Sequence, residues 1–197
     1  MNMIKKISLF IVLFSVALAT SCDDKSKTTS NTKPAANADV KRGVAPVADA
    51  EVAVIDTDFG TIKLELYSNI APKTVERFKE LAKEGFYNGI AFHRINQSVI
   101  QAGNPDTKAG GVSVPGKPEG NSGKPNVVAE FSDLKYEVGT LGAARLPNDI
   151  NSQNSQFFIT LKREPGFDDK YTVFGKVIEG MNNVMLLSGV PREGEKP

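Results

Sequence analysis

The side chains that could do chemistry in this chain sit in three short blocks. Phe92-His93-Arg94-Ile95 carries the only histidine, Gln101-Ala102-Gly103-Asn104 carries two amides, and Asn154-Ser155-Gln156-Phe157-Phe158-Ile159 sets amides beside two rings. A hydrolase triad needs a base beside its nucleophile. His93 is the one candidate base, and in an alternating strand between Phe92 and Arg94 it reads as a packed structural residue. No G-x-S-x-G elbow occurs, since Gly111-Val112-Ser113-Val114-Pro115 fails at its last position. Gly123-Lys124 fails as a phosphate loop, because Pro118 replaces the first glycine and Pro125 follows the lysine. With Cys22 and His93 as the sole cysteine and histidine, a disulfide framework and a Cys/His zinc site are excluded. Lys plus Arg total 24 against 23 acids, a net charge of +1, so the basic excess of a phosphate-binding protein is missing.

What remains is one arginine, two glutamines and several rings. Period two predicts Phe92 and Arg94 on one strand face and His93 and Ile95 on the other. It also puts Gln156 and Phe158 together. An arginine, amides and rings on one surface would form an apolar pocket rimmed by peptide-binding groups. The same pattern also fits phenylalanines in a core with the arginine in solvent, and periodicity does not choose between the two.

The elements that must position these residues begin at Ala50. Val52, Val54, Ile62, Leu64 and Leu66 alternate around Asp58-Phe59-Gly60, predicting a hairpin of Glu51–Thr57 and Thr61–Tyr67. Pro72 suits a helix first turn, and Val75, Phe78, Leu81 and Ala82 recur at helical spacing up to Gly85, predicting a helix over Pro72–Glu84. Strand patterns follow at Ile90–Ile95 and Val99–Ala102. Gly103–Asn126 holds 6 glycines and 4 prolines in 24 residues and reads as a long loop. Further short strands are expected at Val127–Phe131, Gly139–Ala144, Ser155–Leu161 and Thr172–Ile178, with a last helix around Met181, Val184 and Met185. Many short strands with few helices point to a mainly β, closed or nearly closed antiparallel barrel.

Residues 1–21 have the form of an export signal. Lys5 and Lys6 precede an apolar run of 13 residues, Ile7–Ala19. That is shorter than the roughly 20 needed to span a bilayer and within the about 7–15 of a signal core. Ala19-Thr20-Ser21 before Cys22 resembles the lipobox of bacterial lipoproteins, with Leu18 one place earlier than the usual leucine. The resemblance implies cleavage before Cys22 and lipidation of that residue. The expected location is the bacterial cell envelope, lipid-anchored, with the domain outside the cytoplasm. Without residues 1–21 the chain has 22 basic and 23 acidic residues, so attachment would rest on the lipid. Residues 22–49 hold no aromatic side chain and read as a disordered tether, its 27 residues after Cys22 reaching roughly 30 Å, with the folded domain over 50–197.

Five ordered blocks identify the domain as resembling the cyclophilin family of peptidyl-prolyl cis-trans isomerases. They are Gly85-Phe86-Tyr87-Asn88-Gly89 with Phe92-His93-Arg94-Ile95, Ile100-Gln101-Ala102-Gly103-Asn104-Pro105, Gly139-Thr140-Leu141-Gly142-Ala143-Ala144-Arg145, Asn154-Ser155-Gln156-Phe157-Phe158-Ile159, and Val173-Phe174-Gly175-Lys176-Val177. The resemblance implies an eight-stranded antiparallel barrel closed by two helices, and rotation of X-Pro bonds without metal or cofactor. By the same resemblance Arg94 is the catalytic donor, and Gln101 binds the substrate backbone and orients it. Phe158 floors the proline pocket, Val99, Phe167 and Tyr171 wall it, and Ala144, Arg145 and Gln156 line the groove. The expected partners are X-Pro-containing polypeptides and, through the lipid, a membrane, with no nucleic acid, no metal and a monomeric chain. Three departures stand out. Ser98 falls where a pocket phenylalanine is usual, Gly166 where a tryptophan is, and the sequence stops at Lys196-Pro197 where relatives continue into a last barrel strand. The barrel is thus eight-stranded or one strand short, and a non-catalytic proline-peptide-binding or chaperone module stands as the alternative to the enzyme.

Overall fold

The computed structural model describes residues 39–110 and 120–197. The signal segment, Cys22, most of the tether and part of the long loop lie outside the described residues. The hairpin forms from β1 (Ala53–Thr57) and β2 (Gly60–Leu66), paired with Ile55 opposite Ile62 and Ala53 opposite Leu64. Those four side chains and Leu66 point inward and are almost wholly buried. The helix α1 (Pro72–Lys83) buries Thr74, Val75, Phe78, Leu81 and Ala82, and Gly85 past its end takes φ +68°, the left-handed turn expected there.

Short strands β3 (Arg94–Ile95), β4 (Val99–Ala102), β5 (Thr140–Ala143), β6 (Phe157–Thr160) and β7 (Val173–Glu179) follow, then the helix α2 (Met181–Ser188). All pairings are antiparallel, in one curled sheet of order β1-β2-β7-β5-β6-β4-β3. The described residues therefore hold seven strands rather than a closed eight-stranded barrel. Along the outer edge of β3, the Ile95 N–H donates to the Glu195 carbonyl at 2.7 Å.

Every residue of β4, β5 and β6 is buried, because both sheet faces are covered. Ile100, Ala102, Leu141, Ala143, Phe157 and Ile159 join α1 in the main core. Phe157 anchors it, edge-on to Phe78 at 5.4 Å and to Tyr87 at 5.7 Å between ring centroids. On the opposite face Val99, Phe158, Val173, Tyr136, Tyr67 and Ile70 form a second, smaller cluster.

Three expectations change. Val127–Phe131 is not a strand; Val127 makes a single bridge to Gln153. Its Glu130 instead accepts from the backbone N–H groups of Lys73 and Thr74 at 3.1 and 2.9 Å, capping α1, which has no capping side chain of its own. The strand at Ile90–Ile95 shrinks to two residues, so strict alternation fails before it: Phe92 is fully buried in the main core and does not share the face of Arg94. The tether also ends early. Residues 41–49 are held to the domain by polar bonds that a test based on apolar content overlooks. The Lys41 ammonium donates to the carbonyls of Asn69 and Ile70, Gly43 N–H donates to Asp133, and Asn69 bonds reciprocally with Ala45 and Val47. Asp49 accepts from Ser68 and Lys79, and these bonds outweigh its burial and hold its carboxyl below the ordinary range.

Candidate active site

Strand register assembles the site. Arg94 on β3 pairs with Gln101 on β4, Gln101 with Phe158 on β6, and Phe158 with Gly142 on β5. Directly paired residues share a sheet face, so these four form one row across four strands on the face away from the main core. Gly142 is required there. A Cβ at that position would lie 2.3 Å from Phe158 Cζ and 2.8 Å from the Tyr136 hydroxyl.

A polar line runs along the row. Arg94 Nη1 donates to Gln101 Oε1 at 3.3 Å, Gln101 Nε2 to Gln156 Oε1 at 2.8 Å, and Gln156 Nε2 to the Gly120 carbonyl at 3.2 Å. Each amide accepts on the side of the arginine and donates onward, so the positive charge at Arg94 sets the orientation of both. Gln101 is buried, which leaves its amide no water to exchange with and makes its bonds strong determinants of geometry.

Beside this line lies an aromatic floor. Phe158 stacks on Tyr136 at 5.7 Å and meets Phe167 and Tyr171 edge-on at 5.5 and 5.7 Å. Val99 packs in the same cluster, and Phe167 and Tyr171 border it half-exposed. Arg145 turns its guanidinium 4.5 Å over the Tyr171 ring, a cation–π contact. Its Nε and Nη2 donate to the Lys170 carbonyl and its Nη1 to those of Leu146 and Pro147. Arg145 therefore braces the wall with its side chain. On one side of this floor a groove of about 120 Å³ is lined by Ala144, Arg145, Gln156, Asn154, Asn126 and Gly120 among others.

All nine of the residues expected in the folded site converge here, in three linked groups: Arg94, Gln101 and Gln156 in the polar line, Phe158, Val99, Phe167 and Tyr171 in the floor, and Ala144 and Arg145 with Gln156 in the groove. Cys22 lies outside the described residues. At two of the three departures, Ser98 Oγ donates to Glu164 at 2.6 Å, and a Cβ on Gly166 would meet nothing within 4 Å. That hydrogen bond keeps the Glu164 carboxyl below its usual range.

Two participants were missed by the sequence reading. Tyr136, the second layer under Phe158, is wholly buried and follows no periodic pattern. Glu195 faces Arg94, with Oε2 at 2.5 Å from Nε and Oε1 at 3.4 Å from Nη2. That guanidinium and the Asn96 amide hold the Glu195 carboxyl below the ordinary range. Separated by 101 residues, the pair leaves no local signal.

Residues 52–197 match the family model described as cyclophilin type peptidyl-prolyl cis-trans isomerase. The chain is 42% identical over 141 residues to peptidyl-prolyl cis-trans isomerase-like 3 of Gallus gallus, covering 70% of this chain and 81% of that one. A probable peptidyl-prolyl cis-trans isomerase of Brucella suis is 42% identical over 145 residues, covering 71% and 73% of the two chains. Among solved structures, the cyclophilin type isomerase of Cryptosporidium parvum, solved in the presence of the dipeptide Ala-Pro, superposes with a TM-score of 0.65 at 30% identity, over 74% of this chain and 90% of that one.

The Gly142 contact predicts that Gly142→Ala forces Phe158 off its seat. Urea unfolding should show a loss of about 1–3 kcal/mol, with shifted ring resonances for Phe158 and Tyr136. An unchanged midpoint and spectrum would show that Phe158 does not need the space left by Gly142.

Proposed function

The chain belongs to the cyclophilin-type peptidyl-prolyl cis-trans isomerases and is an enzyme of that class, and we propose that it accelerates X-Pro rotation in exported proteins from a lipid anchor in the bacterial cell envelope, assisting their folding. Partial double-bond character gives the X-Pro amide a barrier of about 18–20 kcal/mol, so uncatalysed exchange takes tens of seconds or longer. Twisting the bond breaks its resonance and returns a lone pair to the proline nitrogen. A donor that meets this lone pair stabilises the twisted state and neither planar isomer, and only such differential stabilisation raises the rate.

Arg94 is that donor. Its charge is permanent and its hydrogen-bond donors are fixed in a plane. The observation that carries this assignment is the paired row in which Gln101 stands between Arg94 and Phe158. A proline ring over Phe158 has the guanidinium two strands away, with the Gln101 amide between them to take the peptide backbone. Phe167, Tyr171 and Val99 enclose the ring, and the groove at Ala144, Arg145 and Gln156 receives the chain on one side. The mechanism asks nothing of His93, whose backbone N–H is tied to the Gln101 carbonyl at 3.0 Å.

The small polar Ser98, bonded to Glu164, and the missing side chain at Gly166, both where the resemblance implies an aromatic residue, favour a second reading, a binding module that holds proline segments without turning them. A protease-coupled assay on an X-Pro peptide separates the two. Wild type should accelerate exchange, Arg94→Ala should lose about 10²–10³-fold, and Gln101→Ala should lose less. Only the uncatalysed rate from wild type would leave the binding module, and a larger loss at Gln101 would reverse the two roles.

The envelope location rests on the export-like segment and on Cys22 directly after Ala19-Thr20-Ser21. Expressed in a bacterium with labelled palmitate, the full chain should incorporate label and sediment with membranes, and Cys22→Ser should abolish both. Unlabelled, soluble wild type would sink the anchor.

A further inference from the structure

Arg94 is engaged before any substrate arrives. Its Nε and Nη2 face the Glu195 carboxylate and its Nη1 faces Gln101, so all three nitrogens of the fork already have acceptors. Glu195 is docked by two further bonds, from the Ile95 N–H to its carbonyl at 2.7 Å and from Asn96 Nδ2 to its Oε1 at 2.9 Å. It sits in a turn closed by paired backbone bonds between Glu193 and Lys196 at 2.9 and 3.2 Å.

Two features decide whether this contact is a fixed wall or a removable one. Residues 191–196 are all exposed, so the turn holds on through polar bonds and buries no apolar side chain. The ion pair itself is open to water, with side-chain exposures of 43% for Arg94 and 48% for Glu195. An ion pair with that exposure contributes little and is screened by salt. A contact this exposed can be displaced by a peptide that also binds the floor and the groove.

We propose that Glu195 is an internal competitor for Arg94: in the free enzyme the turn 193–196 clasps the guanidinium, and an X-Pro segment must displace it to reach the donor. The proposal rests on Arg94 as the substrate-binding arginine. The clasp holds the fork in place with its charge compensated, and its release is coupled to the arrival of the substrate. Glu195 is thus neither a proton carrier nor a ligand for the proline. It sets how readily the site opens.

The test is a calorimetric titration of the full chain with the peptide Ala-Ala-Pro-Phe, alongside the coupled assay. Glu195→Gln should bind the peptide about two- to five-fold more tightly, with the gain in KM and little change in kcat. Gly194→Ala gives an independent check. Gly194 has φ +64° and no neighbour within 4 Å of an added Cβ, so alanine strains the turn and touches nothing else. It should shift affinity in the same direction. Equal or weaker peptide binding by both variants, or no binding by any of the proteins, overturns the clasp. Should wild type bind but not catalyse, the isomerase reading falls and the titration still decides the clasp.

Discussion

The site depends on one constraint, the antiparallel register that sets Arg94, Gln101, Phe158 and Gly142 opposite one another on β3, β4, β6 and β5. A slip of one residue at any of these ladders would turn a member of the row to the other face. The register is held from behind. The alternate residues Ile95, Ile100, Ile159, Leu141 and Phe157 are packed in the main core, so a slip would drive the pocket residues into a filled interior and expose apolar ones. Rigidity at the site is therefore a consequence of core packing, and the site itself needs few bonds of its own.

On that row, polarity and packing divide the work. Gln101 links a charged donor at the sheet edge to an amide line that ends on the Gly120 carbonyl. Phe158 is clamped between Tyr136 beneath and the half-exposed Phe167 and Tyr171 at the sides. Aromatic contacts of this kind add about 0.5–1.5 kcal/mol each beyond the area they bury. The site thus combines a stiff apolar seat with one displaceable electrostatic contact, at Glu195. That division suits a catalyst that forms no covalent bond and must release its product in either isomer.

Much of this was legible in the sequence, for identifiable reasons. The hairpin and α1 were readable because local periodicity and a following glycine define them, and Gln156 lies on the face of Phe158 as period two requires. Period two failed at Phe92 because regular strand begins only at Arg94. Val127–Phe131 looks like a strand by content, yet its role is set by where Glu130 meets α1, which no local rule contains. The strap at residues 41–49 was hidden because its bonds join polar groups to a distant loop. The row was beyond reach of periodicity altogether, since β4 and β6 are separated by more than 50 residues and only their pairing aligns Gln101 with Phe158.

In the proposed mechanism the planar donor fork of Arg94, held in this row, stabilises the twisted amide. Exchange NMR on an X-Pro peptide with catalytic amounts of protein tests it most directly, comparing wild type with Arg94→Lys. Lysine keeps the charge and loses the fork. Cis–trans exchange peaks that appear with wild type and vanish with Arg94→Lys are the predicted result, and exchange at the wild-type rate in the variant would contradict it.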